Sequence, residues 1–147
     1  MDNIHYYEVN LLWDSETRGT LSSPVFPVKI EDTTPPKFSK VTKERWTAEH
    51  LFVAAISSCL MSTFLLVAES SKIKFIRFES SAIGTIERID GKFALTEITL
   101  KPNLVIRSTQ NESKARRVLA MSEKACAIAN SIRTKIILEP VVTVQLV

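Results

Sequence analysis

Thr47-Ala-Glu49-His-Leu-Phe-Val-Ala-Ala-Ile-Ser-Ser-Cys59-Leu-Met-Ser-Thr-Phe-Leu-Leu-Val-Ala68 is the stretch on which the fold turns. Residues 51 to 68 carry no charge, a run of 18 positions that barely reaches the length of a membrane span. Ser57, Ser58, Ser62 and Thr63 interrupt it, and the pattern around it is that of a soluble domain, so it reads as a buried central helix. Thr47 is suited to cap that helix, and Glu49 in the first turn complements the positive end of its dipole. The helix is predicted to run to about Ser70. It is apolar nearly all round, so one sheet cannot cover it, and a second copy of the chain is the simplest source of the missing cover.

Upstream, residues 4–13 and roughly 19–30 are rich in β-branched, leucine and aromatic side chains and are separated by the turn Asp14-Ser-Glu-Thr. Pro24 and Pro27 interrupt the second run and mark it as an edge strand. Thr33-Thr-Pro-Pro-Lys ends the region, because successive prolines cannot continue a ladder, and loop is expected up to about Trp46. Downstream, Ile73 to Ile89 alternates loosely between apolar and polar. Asp90-Gly91 then sits where a two-residue type I′ hairpin turn belongs, and Phe93 to Ile106 is the returning strand, with Pro102 marking a break. Thr109-Gln-Asn-Glu112 matches a capping box that opens a second helix. Its apolar positions Ala115, Val118, Leu119, Ser122, Ala125, Cys126 and Ala129 recur at three and four residues, which places Cys126 on the buried stripe. Thr134 to Val147 reads as a last strand. The expectation is one α+β domain over residues 1–147, with antiparallel sheet packed on two central helices.

The 147 residues, 45% of them hydrophobic, suffice for a buried core. The 19 basic and 16 acidic residues leave a formal charge of only +3, without a basic run longer than Arg116-Arg117, so nucleic acid is not an expected partner. Met1-Asp-Asn-Ile-His-Tyr-Tyr-Glu has neither a basic nor an apolar leader region, and cytoplasmic residence is the expectation, with thiols kept reduced. His5 and His50 match no ligand spacing, and neither a metal nor a resident cofactor is expected.

Cys59 and Cys126 are the two cysteines, each inside an apolar run. A thiolate attacks a peroxide and becomes a sulfenic acid, which a second thiol condenses with to form a disulfide. Packed helices lie about 8–10 Å apart, whereas a disulfide needs Cα atoms within about 7 Å. The small residues Ala55, Ser58 and Ser62 near Cys59, and Ser122, Ala125 and Ala129 near Cys126, would allow that approach. Composition alone favours a blander reading in which both cysteines are small hydrophobes. Taken singly, Arg18 in a turn is usually solvated and Glu49 is usually only a dipole partner.

Together these residues form a pattern. The segment Thr47 to Cys59, with a Glu ten positions before a Cys in an Ala-rich helix, resembles the Pro-Glu-x-Leu-Leu/Phe-x-Ala-Ala-x-x-x-Cys signature of the OsmC/Ohr family of thiol peroxidases. Ala125-Cys126-Ala-Ile-Ala-Asn-Ser-Ile132 is similar to its second signature, Cys-Pro-Val/Tyr-Ser, and Arg18-Gly19 to its N-terminal arginine turn. The resemblance implies an intertwined homodimer with active sites at the interface. It implies reduction of organic hydroperoxides, with a dithiol such as a lipoyl group as electron donor. It further implies that Cys59 is peroxidatic, that Cys126 is resolving, and that Arg18 and Glu49 form an ion pair polarising the thiolate. Ala48 and Ala127 stand where the family has prolines, which points to a divergent OsmC-like branch.

Ten helical residues rise about 15 Å, so Glu49 cannot contact Cys59 of its own helix. Either Arg18 spans the gap, or Arg18 and Glu49 come from the other subunit. Phe52, Ile56, Leu60 and Phe64 would line a pocket favouring a greasy substrate over hydrogen peroxide. Two competing readings are a non-catalytic dimeric module binding an apolar ligand, and a thioesterase with Glu49 as general base, which would have no use for Cys126.

Overall fold

The computed structural model describes residues 4–33 and 45–146. The prolines at 35 and 36 that were expected to end the N-terminal region lie outside the described residues. The element order is β1 (Asn10–Ser15), β2 (Arg18–Ser23), β3 (Phe26–Thr33), α1 (Ala48–Ser70), β4 (Arg77–Ile89), β5 (Lys92–Ile106), a 3-10 turn (Thr109–Asn111), α2 (Glu112–Lys124), a second 3-10 turn (Ala129–Ser131), β6 (Lys135–Leu138) and β7 (Val141–Val144). The fold is α+β, as expected. Its contacts gather into two compact units, Met1–Leu51 and Phe52–Val147, with the boundary in the first turns of α1.

The first unit is an antiparallel sheet in the order β1-β2-β3. The stretch expected to be one proline-broken edge strand over 19–30 is two strands, because the chain reverses at Pro24-Val25, where the fixed φ of proline suits a turn. β2 is thereby central, and of these two strands it is β3, which carries Pro27, that lies at an edge. Register sets Arg18 opposite Thr33 and Gly19 opposite Asp32. The end of β3 is tied to the entry of α1: the Thr33 amide donates to the Trp46 carbonyl at 2.8 Å, and Asp32 bridges Trp46 in parallel.

In the second unit β4 and β5 form a long antiparallel hairpin. Its turn has φ of 50° at Asp90 and 78° at Gly91, the two left-handed positions that a type I′ turn demands. β6 and β7 pair with the other side of β5, and both run parallel to it, so the sheet is mixed and not wholly antiparallel. The reason is the connection: the chain leaves β5, runs through α2 and re-enters alongside, as a helical crossover permits.

The last expected strand is two short ones, divided at Glu139-Pro140. Pro102 does not break β5. The carbonyls of Leu100 and Ile106 accept from Glu139 and Gln145, so even-numbered positions there face the β6–β7 edge. Position 102 falls between the last β6 partner, Leu100, and the first β7 partner, Asn103, where no N–H is required of it.

α1 begins as expected, with the His50 amide donating to the Thr47 hydroxyl at 3.3 Å. By length and composition it is long and apolar enough to cross a membrane. One stripe, Ile56, Leu60, Phe64 and Ala68, is buried at four-residue spacing. Ile56 and Leu60 pack with Ile98 and Leu100, while Phe64 and Ala68 pack with Leu104, Ile106, Val118 and Leu119. The opposite face leaves Met61, Leu65 and Leu66 exposed, Leu66 at 69%.

α2 departs from expectation at both ends. Thr109–Asn111 is a 3-10 turn, and neither Ser108 nor Asn111 makes a side-chain cap, so the capping box does not form. The helix then stops at Lys124, two residues before Cys126. Asn130 Nδ2 donates to the Lys124 carbonyl at 3.1 Å and takes up an acceptor at the helix end.

Candidate active site

Cys59 lies on the flank of α1, half-buried, one position before the core residue Leu60. Cys126 is only 2% exposed and sits in the turn between α2 and the second 3-10 turn, not on the stripe of a continuing helix. The correction matters chemically. Inside a helix the amides that follow Cys126 would be spent on the i−4 ladder, whereas in the turn those of Ala127, Ile128 and Ala129 are directed at the two sulfurs.

Cys126 and Cys59 each act on the ionisation of the other. Burial pushes the Cys59 thiol up, but hydrogen bonds from the Cys126 thiol, the Ile128 amide, the Thr63 hydroxyl and the Ala127 amide outweigh it, and the group ends below the ordinary cysteine value. Thr63 Oγ1 lies 3.9 Å from the sulfur. For Cys126 burial acts first and the hydrogen bond and charge of Cys59 add to it, so its pKa is pushed up to about 11 despite the Ala129 and Ile128 amides. The pair is therefore differentiated: one sulfur is prepared to ionise while the other keeps its proton and donates. Such a couple can perform nucleophilic attack by Cys59 followed by disulfide closure with Cys126.

Arg18 and Glu49 belong to the first unit, Arg18 as the first residue of β2 and Glu49 in the capped first turn of α1. They line one cavity of about 360 Å³, together with Leu11, Trp13, Gly19 and Asp32. Among the described residues no ion pair joins them directly. Arg18 Nε and Glu49 Oε2 are each buried without a hydrogen-bond partner, as is Asp32 Oδ1.

Three of the four residues expected to line a substrate pocket are fully buried within the chain. Ile56, Leu60 and Phe64 are 0% exposed and build the core, while Phe52 is half-buried against the cluster of Ile56 and Leu60. The reason lies in α1 itself: with no polar side, nothing in its composition marks which face turns inward. Among the described residues no three His, Cys, Asp or Glu side chains gather as metal ligands.

Two contributors were missed from sequence. The backbone amides after Cys126 carry no side-chain signature, although the absence of proline at 127 was a signal, since proline has no N–H to offer. Asp32 stands beside Glu31 at the end of a strand and reads as a solvated charge until β2–β3 register sets it over Gly19.

The sequence matches the family model described as OsmC-like protein over residues 41–140, a span that includes both cysteines and Glu49. No curated protein matches it. Among solved structures, an OsmC-like protein of unknown function from Vibrio cholerae is 22% identical, with 94% of this chain and 100% of that one covered and a TM-score of 0.84. An organic hydroperoxide resistance protein from Elizabethkingia anophelis is 23% identical over 99% of this chain and 100% of that one, with a TM-score of 0.76. An organic hydroperoxide resistance protein from Bacillus subtilis is 17% identical over 94% of this chain and 98% of that one, with a TM-score of 0.68. At these identities the likeness is one of fold.

Proposed function

The chain belongs to the OsmC-like family, and from that premise we propose that it is a cysteine-based peroxidase reducing organic hydroperoxides in oxidative-stress defence. The observation that carries the reading is that Cys59 and Cys126 act on each other's ionisation, with one thiol lowered and the other raised. In the proposed cycle the Cys59 thiolate attacks the peroxide oxygen and the O–O bond breaks. The alkoxide leaves and takes up a proton as alcohol, and Cys59 becomes a sulfenic acid. Cys126 then displaces hydroxide from that sulfenic acid, which departs as water, and a Cys59–Cys126 disulfide forms. A dithiol of the lipoyl type returns both cysteines to thiols and is itself oxidised to its disulfide. No resident cofactor enters this cycle.

The working form is proposed to be a cytoplasmic homodimer, in which a second copy covers the exposed Met61, Leu65 and Leu66 face of α1. Arg18 is proposed to favour the ionised sulfur and Glu49 to orient Arg18. The names of the Elizabethkingia and Bacillus structures support the choice of organic hydroperoxide as substrate class. The test is consumption of cumene hydroperoxide and hydrogen peroxide with a dithiol reductant. Faster turnover of the organic peroxide, abolished by Cys59→Ser, is expected. Consumption no greater than that of Cys59→Ser overturns the peroxidase reading and leaves a non-catalytic binding module.

A further inference from the structure

We propose that Arg18 is held by two carboxylates, Asp32 and Glu49, either of which suffices to keep the guanidinium in its cavity. The inference rests on the peroxidase reading only for its kinetic consequence. Its structural ground is the 360 Å³ cavity of the first unit, around which one buried donor atom, Arg18 Nε, and two buried acceptor atoms, Asp32 Oδ1 and Glu49 Oε2, all lack partners. A buried donor and buried acceptor that share a cavity gain by pairing, and a carboxylate paired with a guanidinium is among the stronger hydrogen bonds available. Glu16 also lines the cavity but is solvent-exposed, so it is not a buried acceptor lacking a partner.

The backbone is built to present Asp32. Register places it opposite Gly19, and a Cβ at position 19 would lie 2.7 Å from Asp32 Oδ1 and 3.0 Å from Leu11 Cδ1. The absence of a side chain at 19 is therefore what lets the carboxylate lie over β2, on the cavity that Arg18 also lines. The Asp32–Trp46 bridge and the Thr33–Trp46 hydrogen bond join this strand end to the capped turn that carries Glu49. Both carboxylates thus stand on one braced frame. Arg45 is the other cation near this strand end: its Nη2 pairs with Glu31 at 3.4 Å, but its Nη1 is also buried without a partner, so it is the competing cation for Asp32 that the experiment must separate from Arg18. Asp32 acts through Arg18 and is a positioning residue.

The experiment reads Arg18 directly, through the rate at which its Nε–H proton exchanges with water, followed by 15N-edited NMR on the full-length protein. Asp32→Asn and Glu49→Gln should each speed exchange by roughly two- to fivefold, and the double variant by more than the product of the two, at least about tenfold. Gly19→Ala, which displaces the Asp32 carboxylate without removing its charge, should reproduce Asp32→Asn in the Glu49→Gln background. The kcat/KM for cumene hydroperoxide should fall in the same order, with the double variant approaching Arg18→Ala. An Asp32→Asn/Glu49→Gln protein indistinguishable from Glu49→Gln alone overturns the proposal. So does an Asp32→Asn protein whose Arg45 signal moves while that of Arg18 does not. Absence of peroxidase activity in the wild type, with the exchange rates behaving as described, would remove the proposed function and leave the two-carboxylate clamp standing.

Discussion

Leu60→Ala separates the two roles that Leu60 could have, as pocket wall or as core. Leu60 has no exposed surface, and its cluster comprises Ile56, Ile98 and Leu100 with Phe52, Phe78, Ile136 and Leu138 packed against it. The substitution deletes three carbons, worth about 2.4 kcal/mol at about 0.8 kcal/mol per buried methylene. The void left between a rigid helix and a sheet adds to this, and the total should fall near about 3–4 kcal/mol. With urea m-values of about 1–3 kcal/mol/M, the unfolding midpoint should drop by roughly 1–4 M. The measurement is far-UV circular dichroism in urea at one fixed protein concentration, because dimerisation would make the midpoint concentration-dependent. Alongside it, the KM for cumene hydroperoxide should stay within roughly twofold of wild type, since the lost contacts bear equally on free and bound enzyme. An unchanged midpoint with a KM raised about tenfold would refute the reasoning and return Leu60 to the substrate pocket.

Alkylation of the reduced protein should label Cys59 first, with a rate that climbs as pH rises through its lowered pKa and levels off below the pH at which an ordinary cysteine would; Cys126, raised to about 11, should stay unlabelled at neutral pH. Mass spectrometry reads the order, and prior labelling of Cys126 would contradict the assignment of roles. Ala127→Pro removes an amide that favours the Cys59 thiolate, so alkylation of Cys59 at neutral pH should slow while the circular dichroism spectrum is retained; superimposable pH profiles would show that this amide does nothing for the sulfur. Mild organic peroxide should convert the wild type to an internal Cys59–Cys126 disulfide, and Cys126→Ser should instead accumulate over-oxidised Cys59. A free Cys126 beside over-oxidised Cys59 in the wild type would end its resolving role. Sedimentation at sub-micromolar concentration should show a dimer, because the Met61, Leu65 and Leu66 face is uncovered within one chain; a folded monomer there would mean that this face needs no partner.

What the sequence determined by itself was whatever a few neighbouring residues encode. The Thr47 cap and the charge-free run that follows specify α1, because capping and solvation act within a turn or two. Asp90-Gly91 specifies its hairpin, since both positions need positive φ. The motif around Glu49 and Cys59 brought forward the cysteines, Arg18 and Glu49 as a group, and the family match extends over most of that pattern.

Tertiary structure decided everything that depends on which distant segment lies opposite. α1 has no polar face to break its symmetry, so only the sheet it packs on reveals that Ile56, Leu60 and Phe64 turn inward and Leu66 does not. The helical period carried on past Lys124 in the sequence, and only the Asn130 bond to the Lys124 carbonyl and the chain's return toward β6 show that Cys126 sits in a turn whose amides face sulfur. Asp32 was one of two adjacent acids at a strand end until pairing set it over Gly19. Caps, turns and apolar runs are short-range energies and can be read locally; facing, register and the partners of buried charges are settled by contacts between residues far apart in the chain.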